Sequence, residues 1–116
     1  DPSSFAYWSP AKIRECAHKQ KRLLLAGASA LKPGGRLLYC TCSFAPEENE
    51  AVVNHLLQKN ERMRIIPIEP PATGIDIQTG LAEWGGKRFH PALRHCLRIL
   101  PNHRFDGFFL CLMEKI

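Results

Sequence analysis

Two thiols stand two residues apart in Leu-Leu-Tyr-Cys-Thr-Cys-Ser, residues 37–43, and no other side chains in the chain are so well suited to covalent chemistry. The thiolate is a strong nucleophile, and Cys42 directly precedes Ser43-Phe44-Ala45-Pro46, which reads as a short loop opening a helix. The apolar run from Arg36 to Cys42 predicts a strand too hydrophobic to be half exposed. Cys42 then sits at the carboxyl end of that strand, where open α/β sheets bind and transform their ligands. Side chains alternate along a strand, so Cys40 lies on the same face one step inside. Free cysteines favour cores, and Cys40 is expected to be a small buried residue, as are Cys16, Cys96 and Cys111.

The elements that must position these thiols follow from pattern. Ser9-Pro10 is a hydroxyl N-cap followed by proline at the first helical position. From there Ile13, Cys16, Ala17, Gln20, Leu23, Leu24 and Gly27 recur near a 3.6-residue period, predicting a helix to about Ala30 with Trp8 as a staple at its entry. Lys12, Arg14, Lys19, Lys21 and Arg22 fall mostly opposite, a basic face read as solvated surface ahead of an RNA contact. Lys32-Pro33-Gly34-Gly35 ends the helix and turns the chain. It is no phosphate cradle, since the order is helix, glycines, strand rather than strand, glycines, helix.

Pro46 opens a second helix, with Glu47, Glu48 and Glu50 in its first turns, where the helix dipole favours acid. Val52, Val53, Leu56 and Leu57 give it an apolar stripe through about Lys59. Arg64 to Ile68 reads as a strand. Pro70 to His95 is a long excursion without clear period, and it holds Trp84, Gly85, Gly86, Lys87, Arg88 and Phe89. That basic and aromatic mixture suits single-stranded RNA, and a loop tucked onto the core is the equal alternative. Leu97 to Leu100 predicts a short strand, Asp106-Gly107 a turn, and Phe108 to Met113 a last strand. The order predicts an α/β layer, mostly parallel with an antiparallel edge.

Composition narrows the class. With 116 residues, 45% hydrophobic and 23% charged, the chain suits one compact domain. No apolar run approaches the roughly 20 residues that cross a bilayer, so no membrane partner is expected. The net charge of +5 favours a polyanionic partner. Five cysteines form no paired framework, pointing to a reduced, cytoplasmic protein. Cys-Thr-Cys is not a zinc knuckle and no second ligand pair follows, so no metal is expected. The amino end lacks an initiating Met and a secretory pattern, and reads as the middle of a longer protein.

Several segments together resemble the carboxyl-terminal part of the catalytic domain of RNA cytosine-C5 methyltransferases, the Nol1/Nop2/Sun (RsmB/RsmF-like) family. They are Gln20 with Leu23 and Leu24, Leu31-Lys32-Pro33-Gly34-Gly35-Arg36-Leu37-Leu38-Tyr39, Thr41-Cys42-Ser43 and Pro46-Glu47-Glu48-Asn49-Glu50. Arg98-Ile99-Leu100-Pro101 and Asp106-Gly107-Phe108-Phe109 complete the set. The Pro-Gly-Gly turn is common to many methyltransferases; Thr-Cys-Ser followed by Pro-Glu-Glu-Asn-Glu is specific to this one. Only about Pro70 to His95 goes unmatched.

The resemblance implies the distal half of a Rossmann-like class I methyltransferase sheet, a single partial domain over residues 1–116 acting on rRNA or tRNA. It implies S-adenosylmethionine as cofactor, bound mainly in the upstream half, with no cofactor-binding residue in this chain. It implies Cys42 as the nucleophile that attacks C6 of a cytosine. Residues placed toward RNA are Ser43, Lys87, Arg88, Arg98 and His103, with structural roles competing for Arg98 and His103. The family's glycine-rich cofactor loop, its acidic residue for the ribose and its second cysteine, in an Asp-Ala-Pro-Cys motif, are all absent; without the cofactor loop the isolated chain is expected to be inactive and to pair with the missing half or another chain. The competing class is a non-enzymatic RNA-binding or assembly module that keeps the sheet and the basic surface.

Overall fold

The computed structural model describes residues 9–69, 76–101 and 107–116. Trp8, His103 and Asp106 lie outside the described residues.

Helix α1 spans Pro10–Ala30, as its capping residues predict. The Ser9 hydroxyl accepts the Lys12 N–H at 3.1 Å. Its inner stripe is Ala17, Leu24 and Ala28, whereas Leu23, expected on that stripe, is 67% exposed. The Lys32–Gly35 turn follows, with Gly34 at φ 84°, a left-handed conformation that suits glycine. Strand β1 is Arg36–Thr41, and a 3-10 turn, Pro46–Glu48, leads into α2, Glu50–Lys59. The α-helix therefore starts four residues later than Pro46. Strand β2 is Met63–Ile66. The aperiodic stretch holds β3 (Ile77–Thr79), a hairpin of β4 (Glu83–Trp84) and β5 (Lys87–Arg88), and a 3-10 turn, Pro91–His95. Strands β6 (Leu97–Ile99) and β7 (Phe108–Lys115) close the chain.

The sheet corrects the expectation of a mostly parallel layer, because every strand pairing among the described residues is antiparallel. The reason is the place of β7. It pairs with β1 along one edge, from Arg36↔Glu114 to Thr41↔Phe109, and with β2 and then β6 along the other. Strands β1 and β2, joined through α2, do run in the same direction, but the last strand lies between them. Strand β3 extends the sheet beyond β6.

Alternation decides what faces the helices. Phe109, Cys111 and Met113 of β7, Tyr39 of β1 and Met63 and Ile65 of β2 join Leu24, Ala28, Val52, Val53 and Leu56 in one core. Tyr39 and Phe109 meet edge to face, with ring centroids 6.2 Å apart. The opposite face of β1 is open: Leu38 is 58% exposed and Cys40 is exposed. Both the strand expected to be too apolar for half exposure and the buried Cys40 are thus corrected. Hydrophobicity marked the strand but could not tell which of its faces is covered.

One buried cation ties the sheet to α1. Lys115, at the end of β7, donates from Nζ to the Ala28 carbonyl at 3.0 Å and lies 3.4 Å from that of Ser29. These carbonyls lie in the last turn of the helix, where the Ala28 oxygen also accepts the Leu31 N–H at 3.2 Å, and an ammonium there opposes the negative pole of the helix. Lys115→Met keeps the apolar stem and removes the donor. It is expected to cost about 1–3 kcal/mol of stability, read by urea denaturation; an unchanged midpoint would contradict the role.

Candidate active site

The segment Thr41–Glu50 folds as a turn in which every polar side chain except the Cys42 thiol is hydrogen-bonded. Thr41 and Ser43 flank the thiol and are buried. The Thr41 hydroxyl donates to Asn49 Oδ1, and Asn49 Nδ2 donates back across the turn to the Ser43 carbonyl at 2.7 Å. The Ser43 hydroxyl donates to Glu48 at 2.7 Å and accepts the Ala45 N–H at 3.1 Å. The Glu48 carbonyl accepts the Tyr39 hydroxyl at 2.6 Å, and burial, with Glu48 nearby, pushes that phenol's pKa up. Cys42, exposed, is left pointing outward at the carboxyl end of β1.

A buried ion pair fixes this turn to the rest of the sheet. Glu50 is fully buried at the start of α2, and Arg98 of β6 meets it with a two-pronged fork, Nε to Oε2 at 2.6 Å and Nη2 to Oε1 at 2.5 Å. Arg98 Nη1 donates to the Phe44 carbonyl, two residues after the thiol, at 3.2 Å, and Glu50 also accepts the Leu81 N–H at 3.0 Å. Gly107 completes the support by close approach: a β-carbon there would fall 2.1 Å from the Phe44 ring and 2.9 Å from the Ile99 carbonyl.

Glu47, Glu48 and Glu50 thus each tie a different segment, through Trp84, Ser43 and Arg98 respectively, rather than serving the helix dipole. Sequence reading missed these pairs, although an arginine inside the apolar stretch Leu97–Leu100 signals a buried partner, since charged residues are almost never fully buried unpaired. Ser43 and Arg98, placed toward RNA from sequence, are held inside by these bonds. Lys87 and Arg88 are exposed on the hairpin but serve opposite faces, because neighbours in a strand alternate. Trp84 and Lys87 share one face, from which Trp84 Nε1 donates to Glu47; Glu83 and Arg88 share the other. Lys87, with Lys21 and Lys59, also helps hold the His55 imidazole below its ordinary pKa, behind burial as the larger cause.

The two neighbouring thiols differ in setting. Burial pushes the Cys40 thiol up, and Cys42 beside it adds to the shift. Cys40 therefore offers less thiolate near neutral pH. Among the described residues, no three His, Cys, Asp or Glu gather to hold a metal, and no helix is long and apolar enough to cross a membrane.

Residues 5–114 match the family described as 16S rRNA methyltransferase RsmB/F. The chain belongs to that family. Among its relatives, a mouse 28S rRNA (cytosine-C(5))-methyltransferase is 41% identical over 121 residues, which cover 99% of this chain and 14% of the mouse protein. A Pyrococcus abyssi tRNA (cytosine(49)-C(5))-methyltransferase is 35% identical over 109 residues, 93% of this chain and 34% of its own. A crystal structure of a methyltransferase homolog protein from Pyrococcus horikoshii superposes with a TM-score of 0.81 at 30% identity, over 95% of this chain and 34% of that one. This RsmB/F-family chain spans a minor part of the length of each.

Two outcomes follow for the RsmB/F turn. Glu50→Ala leaves Arg98 buried without its counter-ion and is expected to cost about 3–5 kcal/mol, while Glu50→Met with Arg98→Met recovers much of that. Urea denaturation of the single and double variants measures it; equal losses would contradict a paired role. Separately, alkylation of Cys40, followed by peptide mass spectrometry against pH, should titrate above the ordinary thiol pKa. Cys42→Ala should lower it only partway, because burial is the larger cause. Titration at or below the ordinary value would refute the assigned environment.

Proposed function

We propose that this chain is the nucleophile-bearing, distal part of an S-adenosylmethionine-dependent methyltransferase acting at C5 of cytosine in rRNA or tRNA. The observation that carries the reading is the Cys42 thiol, free and exposed in a turn whose other polar side chains are all bonded. Locking the neighbours while leaving the nucleophile unpaired is what preorganised covalent catalysis requires. The relatives' names, an rRNA and a tRNA cytosine-C5 methyltransferase, support the substrate class. The common direction of β1 and β2 supports reading this sheet as one end of a Rossmann-like class I sheet.

The glycine turn before β1 is not the cradle for the methyl donor. The glycine amides of the turn before β1 are already used, Gly34 N–H by the Lys115 carbonyl at 2.7 Å and Gly35 N–H by that of Lys32 at 2.8 Å. We place the donor's site outside this chain, and methyl transfer with it. What the chain supplies is the covalent half of the reaction. The Cys42 thiolate adds to cytosine C6, breaking the C5–C6 double bond and making C5 a carbon nucleophile. After C5 is alkylated and loses its proton, the electron pair of the C5–H bond re-forms the double bond and expels the thiolate. The target base must leave its stack to reach the thiol, and the exposed Lys87 and Arg88 are the basic groups we assign to its RNA.

In the full natural gene product, supplied with methyl donor and RNA carrying 5-fluorocytosine, a covalent adduct should form because the C5 fluorine cannot leave as a proton does. Cys42→Ala should abolish the adduct and Cys40→Ala should leave it. Loss with Cys40→Ala alone would move the nucleophile up the strand. No adduct with any RNA would favour a non-enzymatic RNA-binding module.

A further inference from the structure

The hairpin Glu83–Arg88 has two faces with different tasks, and the second face lines a cavity separate from the Cys42 turn. The cavity has a volume of about 430 Å³ and is bounded by Ala82, Glu83, Arg88, Phe89, His90 and Arg94. That size falls within the range of small-molecule sites. Its lining mixes an apolar wall with charged groups at the rim. Phe89 is buried, while Glu83, Arg88, His90 and Arg94 are exposed. His90 is held in place from both sides, its N–H donated to Asn54 Oδ1 at 2.8 Å and its Nδ1 accepting the Ala92 N–H at 3.0 Å. With Nδ1 accepting, the proton of the neutral ring sits on Nε2, which is a donor. Asn54, 2% exposed behind His90, has an Nδ2 with no hydrogen-bond partner among the described residues.

We infer that this cavity is a subsite for one unpaired nucleotide of the RNA, on the same strand as the target cytosine and within several steps of it. The inference rests on the function proposed above. An apolar wall with an aromatic edge accepts a base, and arginine planes stack on bases as well as pairing phosphate. Arg88 and Arg94 supply two such groups, and Glu83 supplies an acceptor for an exocyclic amine. Proximity to the reactive thiol comes from the other face, where Trp84 bonds to Glu47, five residues beyond Cys42. Five residues of chain span at most ~18 Å from Cys42 to Glu47, and the Glu47 and Trp84 side chains and the width of the hairpin lie between that point and the cavity. The cavity is therefore assigned to a nucleotide within several steps of the target base on the same strand.

The test uses the full natural gene product and short RNAs containing the target cytosine, each flanking nucleotide replaced in turn by an abasic one. Binding by fluorescence anisotropy should weaken about 10-fold at one flanking position, the scale of one lost base stack. Arg94→Ala and Ala82→Trp, both at exposed positions, should each weaken the intact RNA to a similar degree. In these variants the abasic substitution at that position should have no further effect. Losses that multiply, or an absence of any sensitive flanking position, would overturn the subsite. Adducts with 5-fluorocytosine RNA in the same preparations separate the two readings. A sensitive position without adduct removes the reaction and keeps the subsite, and an adduct without a sensitive position does the reverse.

Discussion

The ion pair between Glu50 and Arg98 is the constraint on which the rest of this structure depends. A carboxylate with no solvent exposure is tolerable only when its charge and lone pairs are met, and here the fork of Arg98 and the Leu81 amide meet them. Satisfying the guanidinium in turn recruits the Phe44 carbonyl. Three segments far apart in sequence, the turn after β1, the chain entering the hairpin and β6, are thereby brought to one point. The position of a thiol at residue 42 is set by an arginine at residue 98.

The turn around Cys42 repeats that logic at short range. Thr41 and Ser43 carry hydroxyls that reach Asn49 and Glu48, so the two residues flanking the thiol point inward and are fixed. In a strand, neighbours that face inward force the residue between them outward. Cys42 is exposed because its neighbours are not. Cys40 obeys the same alternation but sits within the strand, where partial burial, with Cys42 adding to it, raises its thiol pKa.

Local signals in the sequence were sufficient wherever local physics decides. Ser9-Pro10 and the 3.6-residue period place α1 at its observed bounds, and the apolar run from Arg36 places β1 to within a residue. The antiparallel pairing was not legible, because no pattern within Phe108–Lys115 reveals that this last strand lies between two earlier ones. The stretch from Pro70 to His95 looked aperiodic because its elements are two to five residues long, too short to show a period. Cys42 was legible as an exposed thiol just past the end of a strand, and its role as nucleophile is the one we propose. Its supports were not, since the partners of Glu47, Glu48 and Glu50 lie at Trp84, Ser43 and Arg98, and spacing along a helix is blind to them.

Reactivity and stability pull against each other at β1. The strand pairs with β7 along one edge and has no partner on the other among the described residues, and its outer face shows Leu38 and Cys40. An apolar edge strand of this kind invites pairing or cover. Yet the attack on a base that we propose for the thiol at its end needs that side approachable. The structure separates the two demands in space. Burial, the Glu50–Arg98 pair and the Lys115 tie to α1 all act on the inner face or in the turn, so the outer side of Cys42 takes no part in holding the fold and remains free for chemistry.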